Sequence, residues 1–312
     1  MSTTQRAPGR QAPARTAGQP KPAGFVWQAR LENASVLDKV GRLVNRGVLA
    51  VLPSSRLRDL LHGVWLRHPL HPAAVDVPIG AWMSAAVLDA MPGGGAPAAS
   101  TVLVGAGTAA AVPAAITGLV EFTTLSPEQQ RVGLVHAVSN SIATLLYAGS
   151  FVARLRGQYR VGRRLAYLGL AAASAGAYLG GHLGYAQAAG VDQAAPDLRL
   201  IPPGWHALGH LDDLPEGHLV TRSIGQAGVL LYREGGSVTA FVQRCAHQSG
   251  PLGQGEIVRV RGAACVKCPW HGSVFRLDNG AVVHGPAATD QPRLITRITG
   301  GRIEVRTGEA PG

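Results

Sequence analysis

Charge is scarce in this sequence. Only 15% of its 312 residues are Asp, Glu, Lys or Arg, where a soluble chain averages about a quarter. Aromatic residues are thin too, at 5%, and there are three cysteines. Three are too few for a disulfide framework; they suit a reducing compartment or an inorganic cofactor. Low charge beside 46% hydrophobic residues excludes a disordered chain and argues against a single soluble globule. The length allows about two domains.

The charge that is present is unevenly placed. Residues 1–67 hold eleven Lys and Arg against three Asp and Glu, whereas 191–312 are nearly balanced. No aromatic residues interleave with the basic excess, so nucleic acid is not an expected partner; a lipid bilayer with anionic headgroups is. Residues 1–22 are rich in Pro, Ala, Gly and Arg. They are expected to be disordered and, lacking an apolar core, not to be a secretory signal. Over 23–67 the pattern predicts two amphipathic membrane-surface helices. The first spans 35–51, with Val36, Leu37, Val40, Leu43, Val44 and Leu49 at helical spacing and Ser35 as N-cap. The second spans 55–66, capped by Ser54 or Ser55 after Pro53.

The charges then vanish. None occurs from Met91 to Val120, Val132 to Ala153 or Leu165 to Val191, and each run exceeds the roughly 20 residues that span a bilayer. A soluble bundle would need charged outer faces. Four spans are expected within 68–190, at about 72–91, 99–121, 133–154 and 164–185. Inside the second, Val104-Gly105-Ala106-Gly107-Thr108-Ala109-Ala110 imitates a dinucleotide fingerprint. It lacks the flanking strand and βαβ unit, so it is read as small residues that let membrane helices approach closely.

A linker, 191–202, ends at Pro202-Pro203, and from there the texture changes. Short β-type runs such as 228–232, 238–242, 293–297 and 302–306 are broken by turn residues, which predicts an all-β domain over 203–307. The fold class is thus multidomain: an N-terminal all-α four-helix transmembrane bundle followed by an all-β domain.

The β domain contains Cys245-Ala246-His247 and, after a gap, Cys268-Pro269-Trp270-His271-Gly272. Two such pairs on two loops present two thiolates and two imidazoles to one site. With Gly250-Pro251-Leu252, Ser273-Val274-Phe275 and Gly285-Pro286-Ala287, this stretch resembles the Rieske [2Fe–2S] domain of the ferredoxin type. The resemblance implies that Cys245 and Cys268 hold one iron while His247 and His271 hold the other. It also implies cluster-tuning roles for Trp270, as a cover against solvent, and for Ser273, through its hydroxyl. Zinc is the rival, with Cys265-x-x-Cys268 as added ligands; the Pro-Trp and Gly-Pro-Leu stretches fit the Rieske loops better, and Cys265 is read as a buried structural thiol. The longer gap between the loops is expected to form a surface hairpin near Val258–Gly262.

The first half carries a second resemblance. Leu61 to Pro72, with its His68-Pro69-Leu70-His71-Pro72 run, then Asp76-Val77-Pro78-Ile79-Gly80 and Gly180-Gly181-His182, is similar to a bacterial four-helix membrane family of unknown function. Antiparallel spans would bring His68, His71, Asp76, Glu121, His136 and His182 to one membrane face, the face from which the β domain emerges. Intramembrane ionisable groups are costly and usually functional. His68, His71, His136 and His182 are therefore candidates for a membrane redox site, holding haem b or lining a quinone pocket.

The expected location is the bacterial cytoplasmic (inner) membrane, multi-pass. Arginines near the spans tie at five on each side, but iron–sulfur domains are assembled in the cytoplasm and no twin-arginine signal is seen, which places the Rieske domain on the cytoplasmic side. The leading function is a membrane-anchored electron carrier with an unidentified donor and acceptor and no substrate chemistry of its own. The alternatives are the reductive partner or subunit of a Rieske oxygenase, and a membrane redox sensor. The length leaves no room for the mononuclear-iron domain of a complete oxygenase.

Overall fold

The computed structural model describes residues 26–91 and 96–308; the tail expected over 1–22 lies outside them. Three short helices come first: α1 (Val26–Glu32), α2 (Asp38–Val51) and α3 (Ser55–His62). The Ser54 side chain accepts the Leu57 N–H and so caps α3, as expected. Ser35 caps nothing; it opens a 3₁₀ turn, Ser35–Leu37, that leads into α2. The helix expected over 55–66 breaks at Gly63, whose φ of 84° is left-handed, and a 3₁₀ turn at Val64–Leu66 follows.

Four long helices form the bundle: α4 (Leu70–Ala90), α5 (Pro97–Phe122), α6 (Pro127–Leu155) and α7 (Tyr159–Gly181). Among the described residues, α4, α5 and α6 are long and apolar enough to cross a membrane. The fourth expected span does form a helix, but it starts earlier and carries Arg160, Arg163 and Arg164 in its first six residues, which keeps it out of that class. Many outward-facing side chains are apolar, among them Val77, Val87, Val102, Val112 and Leu145. The inside sets small residues against Trp82, Val104 and Tyr147, with the polar Asp89, Ser100 and Arg154 also buried. The imitation fingerprint sits in mid-α5, where a Cβ on Gly105 would lie 2.6 Å from the Phe151 ring and one on Gly107 2.6 Å from Trp82 Nε1. Close packing is its role.

The α6–α7 seam is keyed. Asn140, Tyr147 and Arg154 on α6 face Gly176, Gly169 and Gly162 on α7, each set spaced by seven residues. A Cβ on those glycines would lie 2.6, 2.9 and 2.6 Å from the facing side chains. At the end of the seam the Arg154 guanidinium, 2% exposed, is held by both Asp89 carboxylate oxygens and by Ser100 and Ser150. A charge so deep persists only with its partner and these hydrogen bonds.

The second half is all-β. One sheet has the order β1 (His206–His210), β10 (Arg302–Arg306), β9 (Arg293–Thr299), β4 (Ser237–Val242), β3 (Ala227–Glu234), β2 (Leu219–Ile224). The other runs β5 (Glu256–Val260), β6 (Ala263–Lys267), β7 (Val274–Arg276), β8 (Val282–His284). All pairings are antiparallel. β5 and β6 form the expected hairpin, turning at Arg261-Gly262 with positive φ at both. The segment read as a linker is packed: Ala194 is fully buried in the core, and the Gln193 N–H donates to Ala246 O at 2.8 Å.

Candidate metal centre

Two loops of the small sheet's tip share one plan. In the first, the Cys245 N–H donates to Gly250 O (2.8 Å) and the Ser249 N–H to Cys245 O (2.9 Å). In the second, the Cys268 N–H donates to Ser273 O (2.8 Å) and the Gly272 N–H to Cys268 O (3.1 Å). Each loop turns through a left-handed residue at its fifth position, Ser249 (φ 60°) and Gly272 (φ 79°). The loops meet closely: a Cβ on Gly250 would sit 2.7 Å from Cys268 Sγ.

This pairing gathers all four expected ligands. The Cys245 and Cys268 sulfurs hydrogen-bond to each other, with backbone N–H groups of His247 and Gln248 aimed at the first and of Trp270 and His271 at the second. Donation from Cys245 pulls the Cys268 thiol down to about 6 against the effect of burial, while Cys245 is pushed up by its partner and by burial. The His247 and His271 rings stand edge to face, 5.0 Å between centroids. Burial lowers His247 to about 3, with His271 and His62 adding to the effect, and burial also lowers His271. Both imidazoles are thus neutral at pH 7, the form that ligates metal. His247 Nδ1 is buried without a hydrogen-bond partner, a cost that a metal bond would relieve. Among the described residues no three His, Cys, Asp or Glu side chains converge on one point. The residues fit a [2Fe–2S] group. Cys265 stands apart on β6, fully buried, its thiol 3.6 Å from Ala263 O.

The tuning residues behave differently from one another. Ser273 is fully buried, and its hydroxyl accepts the Ala287 N–H at 3.0 Å, joining the second loop to the third. Trp270 is 59% exposed, borders Gly250 and stands edge-on to His271. Gln291 was not legible beforehand. Its amide donates to Val242 O and Arg244 O and accepts the Ala246 N–H, fixing the first loop from behind.

The tip rests on the membrane half. Asp59 of α3 accepts from the His284 ring and from the Gly285 N–H. Gln248 donates to Thr124 O and to Gln129 Oε1 at the α5–α6 turn, Arg67 pairs with Asp290, and Val64 packs into the core that holds both cysteines. His247 therefore faces inward, across a cavity of ≈ 40 Å³ bordered by His62, Glu121 and Gln248. That volume holds two or three waters.

The four membrane histidines do not gather. His71 and His136 do meet, 6.3 Å between ring centroids, each with Nδ1 on a backbone carbonyl, Ala114 O and Gly176 O. His182 lies in a π turn beyond α7 and bonds Glu32 of α1 instead. His68 is exposed and bonds Pro69 O. Asp76 is exposed on α4. Of the four candidates, His71 and His136 thus come together, and His68 and His182 stand apart from them.

Comparison with known proteins agrees with this division. The model of the Rieske [2Fe-2S] domain matches residues 204–297, and that of DUF2231, a predicted membrane protein family, matches 67–193. The chain is 29% identical over 104 residues to the anthranilate 1,2-dioxygenase ferredoxin subunit of Burkholderia cepacia, 33% of this chain and 93% of that one. It is 29% identical over 103 residues to human apoptosis-inducing factor 3, covering 33% of this chain but only 16% of that protein. Among solved structures, the ferredoxin of carbazole 1,9a-dioxygenase from Nocardioides aromaticivorans IC177 matches at 24% identity over 33% of this chain and 98% of its own, with a TM-score of 0.31. Residues 67–193 are a DUF2231 membrane-protein domain, and residues 204–297 that follow are a Rieske [2Fe–2S] domain.

Proposed function

We propose that this chain is a membrane-held one-electron carrier with no substrate chemistry of its own. The carrying observation is the pair of like-built loops that present Cys245, His247, Cys268 and His271 to one site. In this reading Cys245 and Cys268 hold one iron and His247 and His271 the other. The bound cluster supplies one reversible electron, at a potential that the imidazoles raise above that of an all-cysteine cluster. The chain's own residues shape the site around it. Backbone N–H groups of both loops offset thiolate charge, Gln291 and Ser273 fix the loops, and burial keeps the imidazoles neutral. His247 faces the membrane half; His271 and Trp270 face solvent and form the port for a soluble partner. Neither haem b nor quinone is part of the reading, because His182 is bonded to Glu32 and stands apart from His71 and His136.

The location in this reading is the cytoplasmic membrane with the cluster domain on the cytoplasmic side. Protease resistance of that domain in intact spheroplasts is the expected result; cleavage there would reverse the sidedness. Iron and sulfide analysis with EPR of the purified, detergent-solubilised protein tests the core of the proposal. Two irons per chain and a reduced signal of average g below that of an all-cysteine cluster are expected. Stoichiometric zinc with no signal would overturn it.

Similarity to nearly the whole of a dioxygenase ferredoxin subunit favours a second reading, in which the acceptor is an oxygenase. Co-purification of an oxygenase that the reduced protein reduces in a single turnover would select it.

A further inference from the structure

The helix α2 has three faces. At about 100° per residue, Leu37, Gly41, Val44 and Val48 fall together, and this side packs against the protein. Gly41 lies against Gln130, and the neighbouring Asn45 and Asp38 bond Thr123 O and Arg131. Val36, in the leading turn, and Val40, Leu43, Gly47 and Val51 fall together on a second side that no described residue covers: Val36 and Val51 are 78% exposed and Leu43 66%. Lys39, Arg42 and Arg46 make the third, exposed side. A helix lodged against one neighbour needs one apolar face. This one has two, with a cationic face beside the second.

We infer that α2 binds an anionic bilayer surface, its uncovered apolar face in the headgroup–acyl boundary and its cationic face against lipid phosphates. Two observations select lipid. Asp38, the acid of α2, is already paired with Arg131 of α6, which leaves the charge of α2 to Lys39, Arg42 and Arg46, matched to a negative surface. The uncovered face also lies at the end of the bundle where α5 exposes Ile116 and Leu119 just before the turn that α2 grips, so the apolar surface of the spans continues onto α2. An interfacial helix with Lys and Arg on one face and aliphatic residues on another matches this setting. Exposed Leu57, Leu60 and Trp65 carry the apolar surface on to α3, whose Asp59 holds the cluster domain. Lipid contact therefore fixes the height at which that domain sits.

The test uses the full-length protein with its cluster oxidised, in nanodiscs of phosphatidylcholine alone or mixed equally with phosphatidylglycerol. A nitroxide on Leu43→Cys should be several-fold more accessible to oxygen than to a water-soluble nickel chelate, and one on Arg46→Cys should show the reverse. Native mass spectrometry should find phosphatidylglycerol retained in preference to phosphatidylcholine. The triple variant Lys39→Gln/Arg42→Gln/Arg46→Gln should lose that preference while keeping its iron. Equal chelate access at both labels overturns the inference, as does an unchanged lipid preference in the triple variant. A dimer that Leu43→Asp dissociates would assign the face to a second copy and would also overturn it.

Discussion

Asp59 and His284 stand 225 positions apart, yet the carboxylate of one accepts the ring N–H of the other at 2.7 Å and takes the adjoining Gly285 N–H at 2.9 Å. One side chain on a surface helix thereby holds the third loop of the cluster domain. Asp59→Ala removes both bonds and leaves partly buried donors, a loss of about 1–3 kcal/mol. Faster deuterium uptake over 282–290 and over α3 is the expected outcome, with iron content unchanged. Arg67→Ala should change uptake much less, because its pair with Asp290 is 62% exposed on the arginine side. Equal effects would contradict the ranking.

Cys245→Ser and Cys268→Ser should each abolish iron binding, whereas Cys265→Ser should keep two irons per chain. Cys265 sits in the β6 ladder opposite Val258 and Arg276, away from the loop sulfurs. Iron loss in Cys265→Ser, measured against an unchanged fold by circular dichroism, would refute the ligand assignment.

Burial raises the Cys265 thiol above its ordinary value of 9.0. The thiolate is the reactive form, and a raised value means less thiolate at any pH below it. Iodoacetamide should therefore leave Cys265 unmodified in the folded holoprotein even as pH is brought to its unperturbed value, and should modify it promptly after denaturation. Peptide mass mapping reads the adduct; rapid native labelling near pH 8 would show the thiol to be accessible.

Oxidation adds positive charge next to the ligand imidazoles and makes their free N–H protons easier to lose. Protein-film voltammetry should accordingly find the potential falling as pH rises into the alkaline range. Phe275, fully buried in β7, has no hydroxyl to offer the cluster, so the plateau should lie below about +250 mV, near the top of the Rieske range. A flat response from mildly acidic to strongly alkaline pH would exclude two titratable histidine ligands.

Arg154→Leu or Asp89→Leu alone leaves a buried charge without its partner, a cost of about 3–5 kcal/mol. Each should collapse the yield of folded protein in detergent, and the double variant should recover most of it. A double variant no better than either single one would mean that the loss does not come from the unpaired charge.

What could be read from the sequence follows the range of the interactions. The cluster loops were legible because their chemistry is local: the ligands lie within a few residues in each loop, with Gly250 and Gly272 where contact and turning demand them. Spans were legible from long charge-free runs, except that α7 begins among arginines that a window starting later left out. Asp59, Gln248 and Gln291 carried no signal, since each acts on a partner far along the chain and looks like any surface polar residue. The partner of His182 carried no signal either, since Glu32 lies 150 positions earlier on α1.

The ladder of Asn140, Tyr147 and Arg154 against Gly176, Gly169 and Gly162 is a repeating pattern, and repeats are ambiguous. Sliding α7 by one seven-residue step, about 10.5 Å, would still fill two of the three notches, so shape alone tolerates a second alignment. Arg154 removes that tolerance. Its guanidinium is anchored to Asp89 on α4 and Ser100 on α5, and its stem must find Gly162 at the same time. An ion pair that adds little net stability thus acts as an index mark, choosing one alignment among near-equals and, through α6, setting where Gln129 meets the cluster loop.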